Sequence, residues 1–517
     1  MMDLGTERPA VRTATAMRLD DAQFAGSPKR TSVGSIHRVL LALVGVAVAW
    51  GAFAFGAVYP WAYTPLALVC AGIGIAGIVV ERKRRTGVMA ISSGFAATAL
   101  AVALQLIPIP HAVLMTVSPA TDAFLRQYDL RYSYMAAAAE APLGQAVTAS
   151  LVPAHSVSIN PDKTGLGLCL FVAFAIFLIG TSCLISALGA RTIATIVVAC
   201  GAALALVGII QATLSASQQV PLAYGFWKPR FGGRPFGPFV NPNHFAGWML
   251  MAVPLALGLF CDALLRTFQD TVASSENRSW QIGALVMVGF APLIMGLALL
   301  MTRSRSGIAA FAIGGLLVGA TVVRRQRGGV TKSIAAVSLL AFLVGTLAWA
   351  GVDTAFSKFI AGQHDTKSAA GRAGAWRDTL QIIGDFPLTG TGLDTYGTAM
   401  MVYQTSTRES QFQEAHNDYL QLAAEGGLLL GVPMLATLAL FLRDVRRRFR
   451  EAPKSGTTYW LRVGAVVGLI SIALQSAVEF SLQMPGNAAL FVVLAAIALH
   501  QSPNLRRVIY TDAPLAR

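Results

Sequence analysis

The sequence predicts an all-α, polytopic membrane protein of about 12 transmembrane helices, with a large loop containing short helices on one face. Hydrophobic residues make up 55% of the 517 and charged ones only 13%, with a mean hydropathy of +0.60. That balance excludes a disordered chain and points to the membrane. The apolar residues gather in runs close to the ~20 that a helix needs to cross a bilayer. The basic residues concentrate in short stretches between those runs, mostly in alternate loops that lie on one side, as insertion favours.

In chain order, residues 1–35 read as a polar, disordered cytoplasmic tail. The first apolar run begins only after this Arg-containing tail and is long enough to span rather than be cleaved, so no targeting peptide is expected. Spans are expected near 36–58, 61–80, 88–108, 166–187, 192–212, 244–265, 282–302, 307–323, 333–351, 418–442, 458–480 and 486–500, followed by a second cytoplasmic tail at 501–517. With the N-terminus inside, the inner loops hold the clusters Arg82-Lys83-Arg84-Arg85, Arg324-Arg325-Gln326-Arg327 and Arg446-Arg447-Arg448. On this division 27 of the 40 lysines and arginines lie inside and 13 outside. The net charge of +15 therefore serves orientation, and no nucleic-acid partner is expected.

Cys70, Cys169, Cys183, Cys200 and Cys261 all fall in apolar runs without CxxC spacing. They indicate neither a disulfide framework nor a zinc site, and read as small hydrophobes.

Three outer loops remain, near 109–165, 213–243 and 352–417. The last is too long for a simple connection and too polar to cross. Within it, Trp376, Leu380 and Ile383 recur at helical spacing over 370–383, until Pro387 and the Gly390/Gly392 pair stop the helix. An amphipathic helix on the outer surface is expected there, with Trp376 anchoring it at headgroup depth.

Chemistry is expected on this face. Arg303 and Arg305 sit in a tight hairpin between two spans, and Arg372 and Arg377 on the amphipathic helix. Guanidinium forks match phosphate oxygens, although headgroup snorkelling or a solvated helix face accounts for the same residues. His416 precedes Asn417 and Asp418 at the start of a span, with either as its cap. A neutral imidazole there can take a proton from a sugar hydroxyl, though a lone loop histidine is more often ordinary. The stretch 225–244, GFWKPRFGGRPFGPFVNPNH, mixes aromatics with Arg234, Asn241, Asn243 and His244. It reads equally as a carbohydrate surface or as a loop packed on helix ends. His111, His155 and His364 have no partner at ligand spacing, and no outer carboxylate cluster suggests Mg²⁺ or Ca²⁺. A site without metal or cofactor is the simpler reading.

These patches, in this order, resemble the O-antigen ligase and polymerase family of bacterial membrane glycosyltransferases. PFGPFVNPNHFAGWML (235–250), TRSRSGIAAF (302–311), GRAGAWRDTLQIIGDFPLTGTGLDTYG (371–397) and AHNDYLQLAAEGGLLLG (415–431) carry the likeness, with VSINPDKTG (157–165) and SLQMPGNAALF (481–491) as weaker matches. The resemblance implies transfer of a glycan from undecaprenyl diphosphate without metal. It also implies outer arginines on the diphosphate (Arg305 and Arg372, with Arg377 as second choice) and His416 as base. In one respect the chain departs from the pattern. Beyond the His416-Asn417 pair and nine intervening residues the family has Gly-x-x-Gly, whereas here Gly427 is followed by Gly431.

The expected activity is ligation of the glycan to a lipid A-core sugar at the periplasmic face of the inner membrane, among membrane lipids. The alternative is polymerisation, with a second lipid-linked glycan as acceptor. A transporter for the same lipid is the rival from another class, and should show broken helices at the bilayer midplane.

Overall fold

Within lipid a backbone must satisfy its own hydrogen bonds, so apolar runs of this length fold as helices. The structure, a computed structural model, describes residues 35–81, 88–140, 154–215, 222–229, 234–269, 275–325, 366–405, 411–451 and 457–501. Among them are sixteen α-helices. These are α1 (Ser35–Phe53), α2 (Pro60–Val80), α3 (Met89–Leu106), α4 (His111–Val117), α5 (Pro119–Tyr128), α6 (Leu130–Glu140), α7 (Pro161–Leu188) and α8 (Arg191–Leu214). Then come α9 (Pro242–Gln269), α10 (Ser275–Met301), α11 (Arg305–Arg325), α12 (Thr366–Asp385), α13 (Tyr396–Tyr403), α14 (Asp418–Glu451), α15 (Thr457–Gln475) and α16 (Pro485–Leu499).

Nine of these described helices are long and apolar enough to cross a membrane, and α11 and α16 contain shorter apolar stretches. Eleven of the expected spans thus coincide with a helix. The span expected at 333–351, the tails at 1–34 and 502–517, the cluster at 82–85, His364 and the loop portion 352–365 lie outside the described residues.

The chain is a multi-pass membrane protein built around α9. That helix is apolar on every side and buried on every side, from Phe245 and Trp248 through Leu259, as such a helix must be. It packs most extensively on α15, while α2 lies along α7. Gly74 and Gly180 let the α2 and α7 backbones touch, since a Cβ on either would meet the other's main chain. Small residues are how membrane helices approach closely when no hydrophobic force drives them together. Outward-facing side chains are apolar as well. Leu428, Val432, Leu435, Leu438 and Leu442 form an exposed stripe along α14. At the end of the bundle away from the start of α14, buried Arg462 donates to the carbonyls of Arg448, Ala498 and His500. The last helix is capped there by a cation, as its dipole favours.

The end at which α14 starts carries a cap made by α4–α6, α12 and α13. Asp122 ties its first part together, accepting from His111, Arg126 and Tyr132 at 2.7–2.9 Å. Burial raises the Asp122 carboxyl, but those three hydrogen bonds and the Arg126 charge outweigh it and hold it below the usual range.

The cap is pinned to the bundle where α14 breaks. Gly427 has φ +53° and ψ −154° inside that helix, roughly 14 Å in from Asp418 at 1.5 Å per residue. A break frees backbone groups that lipid could not satisfy. Here the segment after α12 lies against it. Thr391 and Gly392 donate to the carbonyls of Ala424 and Glu425, while Leu428 and Leu429 donate to those of Pro387 and Leu388. Gln105 of α3 closes the knot by donating to Thr389 and Glu425 and accepting from Leu393. Gly390, at φ +64°, and Gly427 touch backbone to backbone with no room for a Cβ. Gly431 has open space around it, so the one-residue offset noted in the sequence leaves this break intact.

Candidate active site

Three helices begin side by side at the capped end, and each sets a sequence-predicted residue there. Asn241 accepts from the Asn243 backbone and opens α9. Ser304 accepts from Gly307 and caps α11, whose first residue is Arg305. Asn417 accepts from Tyr419 and Leu420 and caps α14, immediately after His416. The first two starts touch, since a Cβ on Gly307 would lie 2.8 Å from that of Ala246. Helix N-termini carry partial positive charge, so their gathering favours an anion. An arginine at such a position opposes the dipole, which makes Arg305 a residue that packing alone does not explain.

The group that joins the site is Glu479, in the short stretch between α15 and α16. Its Oε1 accepts from Arg372 Nη2 at 2.6 Å and from Asn243 Nδ2 at 2.7 Å. Its Oε2 faces His416 Nδ1 at 3.4 Å, a long contact. The carboxylate is only 1% exposed, while the side chains of Arg372 and His416 keep 31% and 24%. One buried anion therefore organises two groups that still face open space.

His416 is held by its neighbours while one side stays open. Its ring meets Phe480 edge-on at 4.8 Å and Phe412 at 6.4 Å. The preceding residue is fixed at both backbone atoms, because Gln421 accepts from Ala415 N–H and Trp376 Nε1 donates to Ala415 C=O, each at 2.9 Å. These contacts keep His416 in the left-handed region at φ +50°, a conformation costing about 1–3 kcal/mol in a non-glycine residue. Arg303 is strained in the same way at φ +55°.

Of the sequence-predicted site residues, the structure brings His416, Arg372 and Asn243 together on Glu479. Arg303 and Arg305 stand exposed on the neighbouring turn, and Arg377 and Arg234 are exposed. Asn241 and Asn417 serve as caps. His244 is 3% exposed beneath Phe480, ring to ring at 4.7 Å, and neither of its ring nitrogens meets a protein partner. Trp376 differs from expectation, since its indole reaches inward to Ala415. Leu380 also points outward, and the buried side of α12 is Ala375, Asp378, Thr379 and Ile382.

Sequence reasoning missed Glu479, although a lone carboxylate ending an apolar run is a signal. It also under-read the carboxylates on this end. Glu425 accepts from the backbone of Asp394 and Tyr396, and Gln421 bridges Glu425, Glu414 and Gln483.

Glu414 supplies a pH test. Burial pushes its carboxyl from the usual 4.5 up to about 7, aided by Asp394 and Asp418 and opposed by the Gln421 hydrogen bond. Between those values the unfolded chain has lost the proton and the folded one retains it, so stability falls as pH rises through the window and levels off above it. Glu414→Gln should match the wild type at pH 4 and exceed it at pH 8 by up to ~3 kcal/mol. Unfolding in detergent at both pH values checks this, and an unchanged difference would contradict it.

No curated protein matches the chain. The family model described as O-antigen ligase matches residues 290–435, which include Arg303, Arg305, Arg372, Arg377, His416 and the Gly427 break, though not Asn243 or Glu479. Over residues 290–435 the chain is thus similar to the O-antigen ligase family, and its long apolar helices are those of a multi-pass membrane protein.

Proposed function

We propose that the protein moves a glycan from undecaprenyl diphosphate to the hydroxyl of a lipid A-core sugar, at the periplasmic face of the inner membrane. The observation that carries this reading is the shared carboxylate, which ties a base and a diphosphate-binding arginine to one buried point. Glu479 accepts the Nδ1 proton of His416 and leaves the Nε2 lone pair for the acceptor hydroxyl. Arg372 spends one nitrogen on Glu479 and keeps the rest of its guanidinium for the carrier phosphates. Arg305 and the first turn of α11 approach from the adjacent helix start.

In the reaction, the acceptor oxygen attacks the anomeric carbon from the face opposite the diphosphate. The new C–O bond forms as the bond to phosphate breaks, and inversion results. The proton passes to His416, and the electron pair leaves with the diphosphate, whose charge the arginines and helix starts stabilise. Nothing in this sequence of steps requires a metal or cofactor.

Cells lacking the protein are expected to accumulate carrier-linked glycan while their lipid A-core stays bare. Core that is still capped would contradict ligation, and loss of chain length alone would point to polymerisation. Orientation is tested at Ser368→Cys, which should react with a membrane-impermeant thiol reagent without permeabilisation of the inner membrane.

A further inference from the structure

The far end of α12 borders a second cavity that the chemistry above does not use. A cleft of about 410 Å³ lies between α5 and the corner of α12 and α13. Phe124 and Tyr128 form one wall, with ring centroids 5.0 Å apart and tilted at 45°. Opposite them, Tyr403 donates to the exposed Asp385 carboxylate at 2.7 Å, and the Gln127 amide is exposed at the rim. Such a lining offers apolar ring faces beside hydroxyl, amide and carboxylate groups that can bind hydroxyls. Among the described residues no lysine or arginine lines it, which makes that lining unsuited to phosphate.

The cleft and the candidate active site are joined by one helix. Arg372 stands near the start of α12 and Asp385 ends it, roughly 20 Å apart at 1.5 Å per residue. Between them Ala373, Arg377, Leu380, Gln381 and Gly384 are exposed, at spacings that place them along one face. A chain anchored by its diphosphate at Arg372 and laid along that face reaches the cleft several sugars later.

We propose that this cleft is a glycan subsite that holds the distal sugars of the donor chain, and that it takes neutral or amino sugars. The assignment rests on the glycosyltransferase reading for the identity of the donor. A carboxylate at its rim repels acidic sugars and accepts from hydroxyl or ammonium groups. Arg377, midway along the exposed face, then borders the glycan rather than the diphosphate.

The test compares two donors in nanodiscs, the native carrier-linked glycan and the same donor trimmed to a single sugar. Tyr128→Ala combined with Asp385→Ala should raise KM for the full-length donor about tenfold. The kcat on that donor and the KM for the trimmed donor should not change. Equal losses on both donors, or no loss on either, would overturn the subsite. Should the wild type transfer neither donor, the glycosyltransferase reading fails, and direct binding of both donors still decides the subsite. Affinity that grows with glycan length in the wild type and not in the double variant supports it, and affinity independent of length in the wild type overturns it.

Discussion

His416→Ala is expected to lower glycan transfer about 10²- to 10⁴-fold, the range that a positioned general base contributes, with donor binding intact. His416→Gln should be no better, because an amide hydrogen-bonds but does not accept a proton at neutral pH. The two variants separate chemistry from support. The ring packs on Phe480 and Phe412, so the alanine variant also removes packing, whereas glutamine fills much of the space. Chelators should leave wild-type turnover unchanged. Wild-type turnover by the glutamine variant would make His416 a positioning residue.

Glu479→Gln is expected to cost about 10²-fold or more in kcat, although the substitution is nearly isosteric. An amide oxygen can still accept from Arg372 and Asn243. Its NH₂ then faces His416 Nδ1 and must donate to it, which leaves the imidazole proton on Nε2 and removes the base. Fixing the wrong tautomer has costs of this order in other carboxylate–imidazole pairs. Arg372→Lys should instead show its main loss in donor KM and keep less than a tenth of kcat/KM, because a point charge cannot serve Glu479 and phosphate as a fork does. Assays of both variants at matched expression, with full and limiting donor, distinguish the two patterns. Normal kcat in Glu479→Gln would show that the carboxylate does not set the tautomer.

Much of this architecture is legible in the sequence because lipid enforces it. Eleven apolar runs have a helix where length and hydropathy place one, and α12 appears between residues whose spacing and Pro387–Gly392 stop predict it. The candidate site is legible in its parts and not in its assembly. His416, Arg372 and Asn243 each stand out as polar groups at a membrane edge, but their common partner lies 63 to 236 residues away in sequence. Glu479 reads there as the polar end of a span. Period alone places Trp376, Leu380 and Ile383 on one apolar face; Ile383 packs on the core of the cap while Leu380 stands exposed, because the docking of α12 on Ala415 and α14 decides which side is buried.

The break at Gly427 is a second case. A broken helix near the membrane interior favours transport when its freed groups are left to bind a solute. Here backbone groups on both sides of the break are taken by the 387–392 segment and Gln105, so the break serves to seat the cap above the site.

The most direct measurement reconstitutes the purified protein in nanodiscs with undecaprenyl-diphosphate-linked glycan and glycan-free lipid A-core. The account predicts core-linked glycan and free undecaprenyl diphosphate in equal amounts, both lost in His416→Gln. Donor that remains intact with folded wild-type protein and lipid A-core both present would contradict it.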